Sequence, residues 1–329
     1  MGSLFIKCEN GDRDDNDIDV EIIRCVGRGA FGDVFEVNDR AGNVLAMKRL
    51  TKSGILDNEQ EANVESEINL LWMCSGCSFI AKIYGAKQNR SFVYIFSELL
   101  TGGELFAHID KNRFTDEQAR FCAACVVEAI EFLHSNNIVY RDLKPENIVL
   151  DSRGYCKLVD FGLAKLIPDG RANTFCGTPE FLAPEIINRD GYGKPVDWWA
   201  LGVMIHNCIA GTTPFYDKYA RVMYKKIQEV KYTPPTSFSR ILGNFVKQLL
   251  NKDPRTRLRI DGVKDHPFFD DLPWGALRGG TLRSPITPSV RSDTSFEGGS
   301  YVDRSRPTEV SWNATIPPDI EHGDVGDGF

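Results

Sequence analysis

Residues 198–210, from Trp198 to Ala210, form an apolar run interrupted only by His206 and Asn207. A helix apolar on every side has to be surrounded by protein. The run is shorter than the ~18–20 residues a transmembrane helix needs, so a helical mass must enclose it. The segment from Leu105 to about Phe269 has that character, while residues 18–97 read as strand-rich with one clear helix. Strands first and helices afterwards read as an α+β chain, and the length fits two domains of ordinary size or one two-lobed domain. With 329 residues, such a chain can bury a large core without disulfides.

The flanks differ from this body. Residues 1–17 are polar and acidic without periodicity and read as a disordered leader. From 271 to 329 the composition shifts to Gly, Ser, Thr, Pro and charge, giving a tail that must drape over something or stay loose. Basic and acidic residues number 39 and 46, a net charge of −7, which argues against nucleic acid as a partner. Nine cysteines without a secretory leader point to free thiols in a reducing compartment, the cytoplasm or the nucleus. Of the two Cys-x-x-Cys pairs, Cys74/Cys77 and Cys122/Cys125, the second shares a helical stripe with Val126, Ala129 and Leu133, so packing is preferred over zinc.

Two charges sit where apolar residues belong. In a helix over 59–73, Val64, Ile68, Leu71 and Trp72 mark the inward stripe, and Glu67 falls on it. In a strand over 44–50, Ala46, Lys48 and Leu50 share one face, and Leu45 and Met47 the other. An inward carboxylate and an inward ammonium each need a partner, and Lys48 and Glu67 can satisfy one another.

Gly27-Arg28-Gly29-Ala30-Phe31-Gly32 is a glycine pattern that lets backbone N–H groups approach phosphates. It is preceded by the strand-like 19–26 and followed by Val34-Phe-Glu-Val, another strand, so it reads as a flap between strands and not as a dinucleotide turn. Next in order come Ala46-Met-Lys48, Tyr140-Arg141-Asp142-Leu-Lys144-Pro-Glu146-Asn147, Asp160-Phe161-Gly162 and Ala183-Pro184-Glu185. Over residues 20–270 the chain resembles the catalytic domain of a eukaryotic protein kinase, whose signature elements stand in this order. Tyr140 before Arg141-Asp142, the stretch Thr174-Phe-Cys-Gly-Thr-Pro-Glu180, Asp197-Trp-Trp-Ala-Leu-Gly202 and a tail with Pro285-Ile-Thr-Pro288 and Asp293-Thr-Ser-Phe296 resemble the AGC group of serine/threonine kinases, especially its cyclic-nucleotide-dependent and ribosomal-protein branches.

The resemblance implies a two-lobed fold: small lobe 18–97, hinge 98–104, large lobe 105–270 and C-terminal tail 271–329. It implies ATP and Mg²⁺ as cofactors and phosphorylation of Ser or Thr in proteins. Asp142 would be the base, Lys144 would stabilise the transferring group, and Asn147 and Asp160 would hold magnesium. Val26, Gly27, Arg28, Gly29, Ala30, Phe31, Gly32, Asp33, Val34 and Ala46 would enclose the nucleotide. Lys48, paired with Glu67, would grip its phosphates, Glu98 and Leu100 its base, Glu104 its ribose, and Phe296 would close its mouth. Ser97 stands at the gatekeeper position, where a bulkier residue is usual. Thr174 would be phosphorylated by an upstream kinase, with Arg141 and Lys165 as phosphate partners. Glu104 and Glu146 would select basic residues before the acceptor, and Phe175, Pro179 and Leu182 would meet the residue after it. Asn207 replaces a third family carboxylate, which weakens selection two residues before the acceptor. The Phe-x-x-Phe end motif is absent, so a regulatory partner is expected in the small-lobe groove. Glu185 should pair with Arg257, and Asp197 should cap its helix and anchor the catalytic loop. Competing readings are a pseudokinase scaffold and a small-molecule phosphotransferase. The presence of Lys48, Asp142, Asn147 and Asp160 counts against the first, and the Thr174–Glu185 segment against the second.

Overall fold

The computed structural model describes residues 20–29, 32–57 and 61–288. The acidic leader and most of the tail, including Phe296, lie outside the described residues, as do Ala30 and Phe31. The fold is the expected two-lobed α+β arrangement. Strands β1 (Val20–Gly29), β2 (Gly32–Asp39), β3 (Val44–Thr51), β4 (Ile83–Gln88) and β5 (Phe92–Glu98) form one antiparallel sheet in the order β1-β2-β3-β5-β4. Helices α1 (Lys52–Asp57) and α2 (Glu61–Met73) follow β3. The short α1 carries no pattern strong enough to be read from sequence.

Alternation along β3 separates two cores. Met47 packs with Val37, Tyr94 and Phe96 on one face of the sheet, with Leu45 beside them. Leu50 faces the other way, into the core that runs on through α2 into the large lobe. The inward stripe of α2 is Val64, Glu67, Leu70 and Leu71, continued by Cys74 just past its end, whereas Trp72 is 43% exposed. Sequence periodicity had the stripe one residue too far round. An indole is large and seldom fully buried, and the smaller Leu70 takes the inner place.

The large lobe contains α3 (Leu105–Lys111), α4 (Asp116–Ser135), β6 (Ile138–Val139), β7 (Ile148–Leu150), β8 (Cys156–Leu158), β9 (Lys165–Leu166), α5 (Pro184–Asn188) and α6 (Pro195–Ala210). Then come α7 (Ala220–Glu229), α8 (Arg240–Leu249), α9 (Ile260–Val263) and α10 (Trp274–Arg278). The apolar run lies in α6, which is buried from Val196 to His206. Helix α4 crosses it after a capping box in which Thr115 Oγ1 accepts from Gln118 N and Gln118 Oε1 accepts from Thr115 N. Cys122 and Cys125 are wholly buried on α4 as packing residues. No helix among the described residues is long and apolar enough to cross a membrane. The described part of the tail drapes over the large lobe, where Ile286 is buried and Gln118 Nε2 donates to the Pro285 carbonyl at 3.2 Å.

Candidate active site

The site lies between the lobes and is assembled from β1–β3, α2 and the two short hairpins of the large lobe. In the β2–β3 ladder Val34 stands opposite Lys48, and in the β3–β5 ladder Ala46 stands opposite Ser97. Lys48 Nζ reaches Glu67 Oε1 at 2.6 Å and Asp160 Oδ1 at 3.4 Å. Burial alone would lower the Lys48 pKa, but the carboxylates of Glu67 and Asp160 outweigh it and raise the pKa to about 12. The side chain is therefore a fixed cation pointing at the cleft.

The glycine flap bends back at its tip, where Gly29 pairs with Gly32. Arg28 and Gly29 are described through their backbone alone. A Cβ at Gly32 would lie 2.0 Å from the Arg49 carbonyl oxygen, so this glycine is required by strand packing. A Cβ at Gly27 would meet nothing nearer than Val34 Cβ at 3.8 Å. The fold therefore has room for a side chain at 27.

The catalytic loop, 140–147, is held from below. Asp197, fully buried, accepts from the backbone N–H of Tyr140 at 3.0 Å and of Arg141 at 2.9 Å. Its Oδ2 also lies 2.8 Å from His134 Nε2. Asp197 is the third residue of α6, after the N-cap Lys194, so the expectation of a cap is corrected while the anchoring role stands. Its carboxylate turns toward the loop because those N–H groups are buried and would otherwise be unpaired. Further down, Arg257 makes a bidentate pair with Glu185 at 2.7 and 2.9 Å, as expected.

Asp142 is surrounded by donors. Its Oδ1 accepts from the Thr178 hydroxyl at 2.7 Å and the Thr178 N–H at 3.2 Å. Its Oδ2 accepts from Asn147 Nδ2 at 2.8 Å and lies 2.8 Å from Lys144 Nζ. Lys144 also donates to Thr178 Oγ1 at 2.9 Å. Asn147 Nδ2 bonds the Asp142 carbonyl as well, which leaves Oδ1 as the oxygen Asn147 offers to the cleft. Phe161 is buried edge-on to Tyr140, and this directs the preceding Asp160, with a half-exposed carboxylate, into the cleft. Asp160 and Asn147 present oxygen donors, the type magnesium takes.

At the hinge, Lys157 grips the Glu98 carboxylate at 2.6 and 2.8 Å, and the Glu98 N–H donates to the Lys82 carbonyl at 2.8 Å. Glu104 is the N-cap residue of α3 and pairs with Val149 through a backbone bridge. Leu100 is partly buried between them, and Val26 and Asp33 lie on the facing strands. Glu146 is exposed in a single 3-10 turn over Pro145–Asn147.

In the segment before Ala183, Phe175 and Pro179 are exposed, but Leu182 is buried and supports the segment from beneath. Thr174 is exposed, and its carbonyl accepts from the Tyr192 hydroxyl at 2.7 Å. Arg141 Nη1 donates to that same hydroxyl at 3.1 Å. Burial raises the Tyr192 phenol to about 12, so it remains a donor. Sequence reasoning missed Tyr192 and Thr178. Thr178 stood inside a quoted motif without a role, and Tyr192, an isolated tyrosine among glycines, gave no signal.

Residues 20–269 match the model of the protein kinase domain. The chain is 36% identical over 308 residues to a RAC family serine/threonine-protein kinase homolog of Dictyostelium discoideum, covering 91% of this chain and 69% of that protein. It is 42% identical over 276 residues to the cAMP-dependent protein kinase catalytic subunit of the same organism, covering 82% of this chain and 42% of that one. Identity to the serine/threonine-protein kinase SCH9 of Candida albicans is 41% over 288 residues, 84% of this chain and 37% of that one. The chain thus spans less than half the length of the last two. The chain belongs to the protein kinase family, in its AGC group of serine/threonine kinases.

Proposed function

We propose that this protein transfers the γ-phosphoryl group of ATP to Ser or Thr of a protein substrate, with Asp142 as the general base. The observation that carries this reading is the donor cage on Asp142, formed by Thr178, Asn147 and Lys144. The cage holds one carboxylate in a single orientation, with a hydroxyl already on Oδ1. A substrate hydroxyl brought to the same carboxylate would be aligned with the phosphorus and would give up its proton there. Lys144 would neutralise charge on the phosphoryl group as it moves. Lys48, held by Glu67, would fix the phosphates of the bound nucleotide, with the flap N–H groups above them.

Asn147 and Asp160 would hold magnesium, which would supply positive charge against the phosphates. Val26, Val34, Ala46 and Leu100 would cover the base, while backbone groups at Glu98 and Leu100 would bond its edge. Phe296 is proposed to reach the same mouth. Thr174 is the proposed activating phosphosite for an upstream kinase. Its neighbour Tyr192 already shares a hydrogen bond with Arg141, so a phosphate there would find a guanidinium close by. Glu104 and Glu146 would receive basic residues before the acceptor, and Phe175 and Pro179 an apolar residue after it. Transfer of radiolabelled phosphate to a positional peptide array tests the reading. Labelling of Ser and Thr peptides with Arg or Lys before the acceptor is expected. Labelling only of acidic peptides, or of small molecules instead of peptides, would overturn it.

A further inference from the structure

The chain contains five Ser-Pro or Thr-Pro dipeptides, at Thr178, Thr213, Thr233, Ser284 and Thr287. The structure engages three of these hydroxyls. Thr178 donates to Asp142, Thr213 donates to Glu180 at 2.6 Å, and Ser284 donates to the Gly154 carbonyl while accepting from the Ile286 N–H. Thr233 and Thr287 are exposed. Thr287 has a further property: it lines a cleft of about 390 Å³ between the tail and the β7–β8 turn, together with Arg153, Arg283 and Tyr155.

Both arginines are available. Arg283 is exposed. The Arg153 side chain is 60% exposed, with its guanidinium 5.0 Å from the Tyr155 ring centre. Its present partners are Asp151 Oδ2, met by Nε at 3.4 Å and by Nη2 at 3.3 Å, and the Gly280 carbonyl, met by Nη1 at 3.2 Å. An Arg held over an aromatic face presents a planar fork suited to a phosphate. The tail is already tied to this turn, with the Tyr155 hydroxyl donating to the Leu282 carbonyl. One dianionic group in the cleft would meet the two cations that line it, Arg153 from the turn and Arg283 from the tail.

We propose that Thr287 is a phosphorylation site for a protein kinase that accepts proline after the acceptor, and that its phosphate bridges Arg153 and Arg283 to clamp the tail onto the large lobe. In the transfer, the bond between the γ-phosphorus and the β–γ bridging oxygen of ATP breaks and a bond from that phosphorus to Thr287 Oγ1 forms. ADP leaves, and the hydroxyl proton passes to the base of the modifying kinase. The clamped hairpin carries Asn147 just before β7 and Asp160 just after β8, so the clamp grips the far end of the hairpin that presents both candidate metal ligands. Modification of Thr287 by another kinase does not depend on this chain's own catalytic activity.

The test uses the full chain carrying Asp142→Asn, so that all phosphate comes from an added proline-directed kinase and ATP. Mass spectrometry is expected to find phosphate on Thr287, and hydrogen exchange across 279–288 to slow by about tenfold, as charge-assisted bonds hold the segment closed. The same slowing should be lost in Arg153→Gln and in Arg283→Gln, each taking up phosphate normally. Thr287 left unmodified while a peptide of residues 280–290 is modified would overturn the proposal. So would exchange that stays the same or quickens on modification, or slowing that survives both arginine substitutions.

Discussion

The Thr178 hydroxyl donates to Asp142 Oδ1 at 2.7 Å while accepting from Lys144 Nζ at 2.9 Å. One side chain from the Thr174–Glu185 segment thereby holds both Asp142 and Lys144. Thr178→Ala should lower kcat by roughly tenfold or more, because the carboxylate loses its orienting donor. Thr178→Ser should restore most of the rate, since it keeps the hydroxyl. Equal loss in both variants, measured at saturating peptide, would mean that the methyl group and not the hydroxyl matters.

Asp197 offers a test of stability. Its carboxylate serves two backbone N–H groups and one imidazole in a fully buried place. Asp197→Ala leaves those groups unpaired, and each buried unpaired donor costs about 1–3 kcal/mol. Urea unfolding should therefore show a loss of at least about 2 kcal/mol together with loss of activity. A variant as stable as the wild type would contradict the anchoring role.

The glycines of the flap should separate. Gly32→Ala forces a contact with the Arg49 carbonyl and should lower the melting temperature. Gly27→Ala has room in the folded protein and should leave the melting temperature unchanged while raising the KM for ATP. Calorimetry and nucleotide titration of the two variants check both statements, and a destabilised Gly27→Ala protein would refute the second.

These residues also show what could be read from sequence. Lys48 and Glu67 were paired from strand alternation and helix period alone, because each was a charge on an apolar face, and they meet at 2.6 Å. The order of the five elements is legible as it stands, and the Glu185–Arg257 pair follows only from the family resemblance that this order carries. Thr178 and Tyr192 were not legible, since a hydroxyl on a loop has no periodicity and its partner is chosen by tertiary approach. The exposure of Trp72 has the same ground: sequence reveals that a residue is apolar, but packing decides which of two adjacent apolar positions faces inward. The surface expected of Leu182 comes with the family resemblance, and tertiary packing buries that side chain instead.

Acid should destabilise the large lobe through His266. Its Nδ1 accepts from the Phe268 N–H at 3.1 Å, and its Nε2 donates to Asn244 Oδ1 at 2.9 Å, so the ring is neutral with one defined tautomer. Burial lowers its pKa below the ordinary 6.5, against the opposing pull of Asp270. Burial likewise lowers that of His206, opposed by its bond to the Thr212 carbonyl. Below pH 6.5 the unfolded chain then binds more protons than the folded one. Stability is fully present above that pH and declines as the pH falls toward the folded pKa values. Urea midpoints should be lower at about pH 5 than at about pH 7.5, and His266→Gln should flatten the profile. A midpoint that rises on acidification would contradict this sign.

The expectation is that Asp142 and Lys48 act on phosphoryl transfer and not on folding. Its most direct test is single-turnover transfer of labelled phosphate to a basic Ser/Thr peptide by the wild type, Asp142→Asn and Lys48→Met, each first shown to melt cooperatively. Loss of general-base catalysis alone should lower the rate by roughly 10²–10⁴-fold in Asp142→Asn. Lys48→Met should fall comparably through loss of the phosphate grip. Near-normal turnover by either folded variant would contradict the assignment.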